Sequence, residues 1–133
     1  MKGLKKANNT LQEFSDLVES KQVSSHNQKN LRVGIDLGTS AVKLLLMDQG
    51  GTIHKIVSKE YPLYFPHPGW SEQNPQDWFE KTMEGMKELT AECDRTQIAG
   101  IGFGGQMHGL EVLDEMYQVI RPAILWNDGR TAK

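Results

Sequence analysis

Leu31-Arg32-Val33-Gly34-Ile35-Asp36-Leu37, then Gly38-Thr39-Ser40, then Ala41-Val42-Lys43-Leu44-Leu45-Leu46-Met47-Asp48: this stretch decides how the chain is read. In its first part Leu31, Val33, Ile35 and Leu37 alternate with Arg32, Gly34 and Asp36, the two-residue period of a strand. Gly38-Thr39-Ser40 supplies a tight turn, and Ala41 to Asp48 follows as a second strand rich in Val and Leu. Gln49-Gly50-Gly51 is another turn, and Thr52 to Tyr61, with Ile53, Ile56 and Val57, makes a third strand. Three strands joined by two short turns form an antiparallel meander.

Downstream, Pro62, Pro66, Pro68 and Gly69 interrupt regular structure. Asn74-Pro75 then marks a helix start: Asn as N-cap, Pro at the first helical position, Asp77 in the first turn. Trp78, Met83, Met86 and Leu89 recur at helical spacing, which predicts a helix to about Cys93. Gln97 to Phe103 returns to strand, and Gly104-Gly105 is expected to stop it. A further strand is expected over Leu110 to Leu113, a turn near Asp114 to Tyr117, and a short extended stretch from Val119 to Trp126, interrupted at Pro122. The pattern is α/β, with a mixed sheet and helices on its faces.

Upstream, residues 1–30 differ in texture, being rich in Lys, Asn, Gln and Ser. Thr10 and Glu13 make a capping-box pattern, and Leu11, Phe14, Leu17 and Val18 share a helical face, so a short amphipathic helix from about 11 to 20 is the reading there. Ser24 to Asn30 reads as linker. The division expected is a flexible polar leader, 1–30, and a folded unit, 31–133.

Composition narrows the function classes. Fifteen Lys and Arg against seventeen Asp and Glu leave a formal charge of −2, which offers no electrostatic reason to expect nucleic acid or an anionic membrane surface as partner. The single cysteine, Cys93, excludes an intrachain disulfide and points to a reducing compartment. Met1 to Lys6 carries charge, but no apolar stretch follows it, and no segment approaches the roughly 20 apolar residues that span a membrane. A cytoplasmic protein is expected. His26, His54 and His67 share no ligand spacing with each other or with Cys93, so no zinc or iron site is expected.

Three segments could carry chemistry. In Gly34 to Ser40 the carboxylate of Asp36 sits at a strand end beside a turn. Asp36 can hold the water shell of Mg²⁺ or act on a phosphoryl group as a catalytic carboxylate, and Gly38, Thr39 and Ser40 can present N–H groups and hydroxyls to phosphate oxygens. The same residue types also favour an ordinary hairpin turn. In Gly102 to Gly109, four glycines expose backbone, and Gln106 and His108 can bond a polyhydroxy ligand; equally, His108 can be a structural residue bonded to backbone. In Leu125 to Arg130, Trp126 beside Asn127 and Asp128 can meet a sugar with an apolar face and polar groups, or form a turn with a partly buried Trp. Trp70 to Gln73 can meet a sugar in the same way, or Trp70 can simply anchor the proline loop while Glu72 faces solvent.

The strand, strand, strand, helix, strand order is the opening of a ribonuclease-H-like layer. Together with Gly34-Ile35-Asp36-Leu37-Gly38-Thr39, His67-Pro68-Gly69-Trp70-Ser71-Glu72-Gln73, Gly105-Gln106-Met107-His108-Gly109 and Arg121-Pro122-Ala123-Ile124-Leu125-Trp126-Asn127-Asp128, it resembles the FGGY family of carbohydrate kinases, in the actin, Hsp70 and sugar-kinase fold superfamily. Met107-His108 turns the resemblance toward the xylulokinases, because glycerol kinases place Arg-Glu there. The resemblance implies transfer of the ATP γ-phosphoryl group to D-xylulose or a close ketose with Mg²⁺. In that picture Asp36 stands at the phosphate and metal end, Met107 and His108 line the sugar pocket, and Trp126 and Asp128 lie close by. It also places the general base much further along the chain and the adenosine-binding glycines in a second domain. Neither has a counterpart in these 133 residues, and Asp128 is not that base. The domain is therefore expected to be incomplete and inactive alone. A non-enzymatic remnant or sugar-binding module of the same fold is the alternative, and an Hsp70- or actin-like ATPase piece is disfavoured by Met107-His108 and Trp126 to Asp128.

Overall fold

The computed structural model describes residues 29–132; the helix expected near 11–20 lies outside them. β1 (Leu31–Leu37), β2 (Ala41–Asp48) and β3 (Ile53–Glu60) form the meander, and β5 (Ile98–Gly105) adds parallel to β1, giving the order β3-β2-β1-β5. α1 (Pro75–Leu89) provides the crossover from β3 to β5 and packs on β2 and β3. A small second sheet pairs β4 (Glu72–Gln73) with β6 (Ala123–Ile124). The mixed α/β fold is the one expected.

Alternation decides which face is covered. Val33 and Ile35 face Leu46 and Leu44 across the β1–β2 ladder, and Leu44 faces Val57 on β3. These five side chains are buried on one face, where Met86 and Leu89 of α1 complete the core. Covering that apolar stripe is what holds α1 to the sheet. On the other face, Gly34 lies opposite Gly102, and Gly104, next on that face of β5, lies opposite Asp36, with Lys43, Leu45 and Ile56 nearby. Three adjacent positions without side chains leave a trough there of about 450 Å³.

α1 begins as expected: Asn74 caps it, its Oδ1 accepting from the Gln76 N–H at 3.1 Å, and Pro75 follows. It ends earlier than expected, at Leu89 rather than Cys93. The Thr90 hydroxyl and N–H both turn back onto the Met86 carbonyl, at 2.8 and 3.0 Å, which closes the last turn. β5, conversely, runs through Gly104 and Gly105 instead of stopping before them, because both stay in register with Asp36 and Leu37 of β1; ladder hydrogen bonds override the weak intrinsic preference of glycine. The strand expected over 110–113 reduces to single bridges, Leu110 with Ile124 and Leu113 with Val119. Within 119–126 only Ala123–Ile124 is strand. The turn expected near 114–117 is present, with Tyr117 donating to the Asp114 carbonyl. No described helix is long and apolar enough to cross a membrane.

Candidate functional site

β1 and β5 are parallel, so their carboxyl ends lie together, and the Gln106 N–H donates to the Leu37 carbonyl at 2.9 Å. The crevice outside the carboxyl ends of parallel strands is where α/β sheets hold ligands, since chain leaving each strand there diverges and leaves space. All three segments singled out in the sequence meet at this edge.

Asp36 is exposed near the end of β1, with Lys43 opposite it on β2. Beyond it the turn is tight: the Gly38 N–H donates to the Ala41 carbonyl at 3.0 Å, and a Cβ on Gly38 would lie 3.0 Å from that same oxygen. The Gly38 carbonyl accepts from the Tyr61 hydroxyl. Burial and, secondarily, the Asp36 charge push that hydroxyl up to about 12. The Thr39 and Ser40 N–H groups have no partner among the described residues, which leaves two donors for an anion.

The second segment leaves β5 through Gln106, Met107 and His108. Met107 and His108 are exposed, and His108 adopts φ 58°. Left-handed backbone is uncommon outside glycine, though His is among the residues enriched there. The turn at His108-Gly109 brings Leu110 onto Ile124 of β6, with N–H to carbonyl bonds in both directions at 2.8 and 2.9 Å. That bridge sets Met107-His108 beside the third segment, which follows β6.

In the third segment Trp126 is exposed, and its Nε1–H donates to the Thr39 hydroxyl at 3.3 Å. Its one polar group is therefore directed to the turn, and the ring face remains for a ligand. Asp128 is placed differently from Trp126. Its carboxylate is 2% exposed and accepts from Arg130 Nε and Nη2, both at 2.7 Å, and from the Ser71 N–H at 2.6 Å. The bidentate guanidinium first, and the Ser71 and Arg130 N–H groups after it, hold the Asp128 carboxyl well below the usual carboxylate range; Arg130 is raised in turn.

Sequence reasoning missed the residues beneath these segments. Glu72, for which solvent exposure is one of two readings, is 7% exposed, and its Oε1 receives Arg121 and Arg130, each at 2.7 Å. Arg130 also lies 3.8 Å over the Trp70 ring, which anchors the proline loop as expected, with His67 edge-on to it. Gln106, expected to bond a ligand, bonds protein: its Oε1 accepts from the Thr39 hydroxyl at 3.2 Å, and its Nε2 donates to Gln73 Oε1 at 3.1 Å. The only signal in the chain was the pair of polar residues, Glu72-Gln73, placed between a proline loop and a helix cap. Among the described residues no three His, Cys, Asp or Glu side chains group as a metal cage.

Comparison with known proteins points to one family. Residues 31–133 match the model of the FGGY family of carbohydrate kinases, N-terminal domain. The xylulose kinase of Bacillus subtilis is 52% identical over 101 residues, covering 74% of this chain and 20% of that protein. Among solved structures, a xyloylose kinase from Brucella ovis aligns with a TM-score of 0.72 at 43% identity, over 75% of this chain and 22% of that one. The xylulose kinase from Rhodospirillum rubrum aligns at 0.73 and 29% identity, over 77% of this chain and 21% of that one. The chain thus spans about a fifth of the length of the curated relatives it matches.

Proposed function

The chain belongs to the FGGY family of carbohydrate kinases, and from that premise we propose that residues 31–133 are the first part of the N-terminal domain of a kinase that phosphorylates D-xylulose or a close ketose from ATP. The observation that carries this reading is the Trp126–Thr39 bond of 3.3 Å, which brings the sugar-end segment against the turn beside Asp36. Phosphoryl transfer depends chiefly on positioning and charge neutralisation, so a cleft joining a polyol-binding wall to an anion-binding turn is the chemistry it needs.

The residues present fit the phosphate end of magnesium ATP. An exposed carboxylate, two unpaired N–H groups and the Ser40 hydroxyl suit oxygen-rich ligands with a retained water shell. When bound, magnesium ATP supplies the phosphoryl group and much of the neutralising charge. In this reading Asp36 holds the metal's water shell, and Gly38, Thr39 and Ser40 orient the phosphate. Met107, His108 and the Trp126 ring line the sugar, and Asp128 fixes the Trp126-Asn127 turn from behind. The family match covers residues 31–133 and leaves residues 1–30 outside it. In this reading the reaction runs in the cytoplasm, where ATP is available.

The test is ligand-observed NMR on the purified chain with D-xylulose, D-gluconate and glycerol. D-xylulose is expected to bind most tightly, with His108→Ala weakening it about tenfold, equivalent to about 1.4 kcal/mol. No ATP is expected to be consumed by the 133 residues alone. Tighter binding of glycerol or gluconate, or indifference to His108→Ala, would overturn the assignment.

A further inference from the structure

We infer that Gln73 is a positioning residue that locks the two ends of the cleft into one fixed relation. This rests on the reading of the cleft just given, with a phosphate end at Gly38 to Ser40 and a sugar end at Met107, His108 and Trp126.

Gln73 is 1% exposed, on a two-residue strand held by its pairing with β6. Its amide is fully engaged. Nε2 donates to the Thr39 carbonyl at 2.6 Å and to the Pro62 carbonyl at 3.4 Å; Oε1 accepts from Trp78 Nε1 at 3.0 Å and from Gln106 Nε2 at 3.1 Å. The orientation of this amide is unambiguous, because a backbone carbonyl only accepts and an indole N–H only donates. From Gln106 the chain of bonds returns to the Thr39 hydroxyl, which accepts in turn from Trp126. One buried side chain therefore ties α1, the turn after β1 and the segment leaving β5 together, and reaches Trp126 through two further hydrogen bonds.

A side chain needed only to fill space at this position could be leucine, which has similar bulk and no polar atoms to satisfy. What leucine cannot do is hold the Thr39 carbonyl and the Gln106 amide at fixed separation. Met107 and His108 follow Gln106 directly, and Asp36 precedes the turn by two residues. A small rotation at either contact changes the distance between the sugar wall and the carboxylate, and such displacements are what phosphoryl transfer tolerates least.

The experiment is ¹H–¹⁵N NMR of the whole 133-residue chain, as wild type, Gln73→Leu and Gln106→Leu, with and without D-xylulose. Both variants are expected to move the Trp126 indole resonance, although residue 73 does not touch Trp126. Only Gln73→Leu should also release the Trp78 indole, giving it faster exchange with solvent. The D-xylulose Kd is expected to rise at least tenfold in each. Should Gln73→Leu fail to fold, Gln73→Met, unbranched and of similar length, takes its place, since Gln106→Leu breaks the Gln106–Thr39 bond directly and by itself does not report on residue 73. A Trp126 indole resonance at its wild-type position in the folded variants would overturn the inference. If wild type binds no D-xylulose, the proposed substrate falls, but the indole comparison in sugar-free protein still decides the positioning role.

Discussion

Replacing Gly85 by Ala tests the packing that holds the site from below. In an exposed helix interior this change stabilises by about 1 kcal/mol, because Ala restricts the unfolded chain and favours helix. Gly85, however, lies on the face of α1 pressed against β2. A Cβ there would fall 2.4 Å from Leu44 Cδ1, with Cδ2 and Cγ at 3.5 and 3.6 Å. Carbon atoms settle at about 3.5–4.0 Å, so the first contact is more than an ångström too short. Leu44 has no surface exposure and is hemmed by Ile35 and Val57 on the neighbouring strands, so it cannot swing aside. Overpacking of this kind costs about 1–3 kcal/mol. Set against the helix gain of about 1, the net loss should reach up to about 2 kcal/mol. Leu44→Ala alone should lose about 2–5 kcal/mol by leaving a cavity. In that background the new methyl at residue 85 has room, so the sign reverses and Gly85→Ala becomes stabilising. Urea unfolding followed by circular dichroism, with unchanged m-values, measures all four proteins. A stabilising effect of Gly85→Ala in the wild-type background would refute the close approach of α1 to β2.

Removing the helix cap with Asn74→Ala should lower stability by about 1 kcal/mol in the same urea assay, since the Gln76 N–H loses its acceptor. Tyr61 titrates at about 12, above its unfolded value near 10, owing first to burial and then to Asp36. Its contribution is therefore complete below about pH 10 and is lost as pH rises through 12; a Tyr61→Phe protein should show a shallower alkaline decline. Asp128 is shifted the other way by the Arg130 guanidinium, so its contribution is complete above about pH 4 and is lost as pH falls further. Asp128→Asn should lose less stability than wild type between about pH 5 and pH 2, read from urea midpoints at each pH.

The sequence by itself determined the elements whose rules are local. Alternation at Leu31 to Leu37 specified one strand, since a shift of one residue there would expose its apolar side chains, and the Val and Leu of Ala41 to Asp48 specified a second strand whose buried face only the packing decided. Asn74-Pro75 specified where α1 begins, because capping is a contact between near neighbours. The residue strings 34–39, 67–73, 105–109 and 121–128 likewise pointed to the family later matched over residues 31–133. Only the tertiary structure decided the rest. That Gly104 and Gly105 extend β5 depends on β1, more than sixty residues earlier, for their ladder partners. That Glu72 is buried depends on Arg121 and Arg130, and that Gln106 faces protein depends on Thr39 and Gln73. No local pattern encodes such pairs. A carboxylate or an amide reads as exposed in sequence, and becomes a buried support only when folding brings its partners within hydrogen-bond distance and makes leaving them unpaired unfavourable.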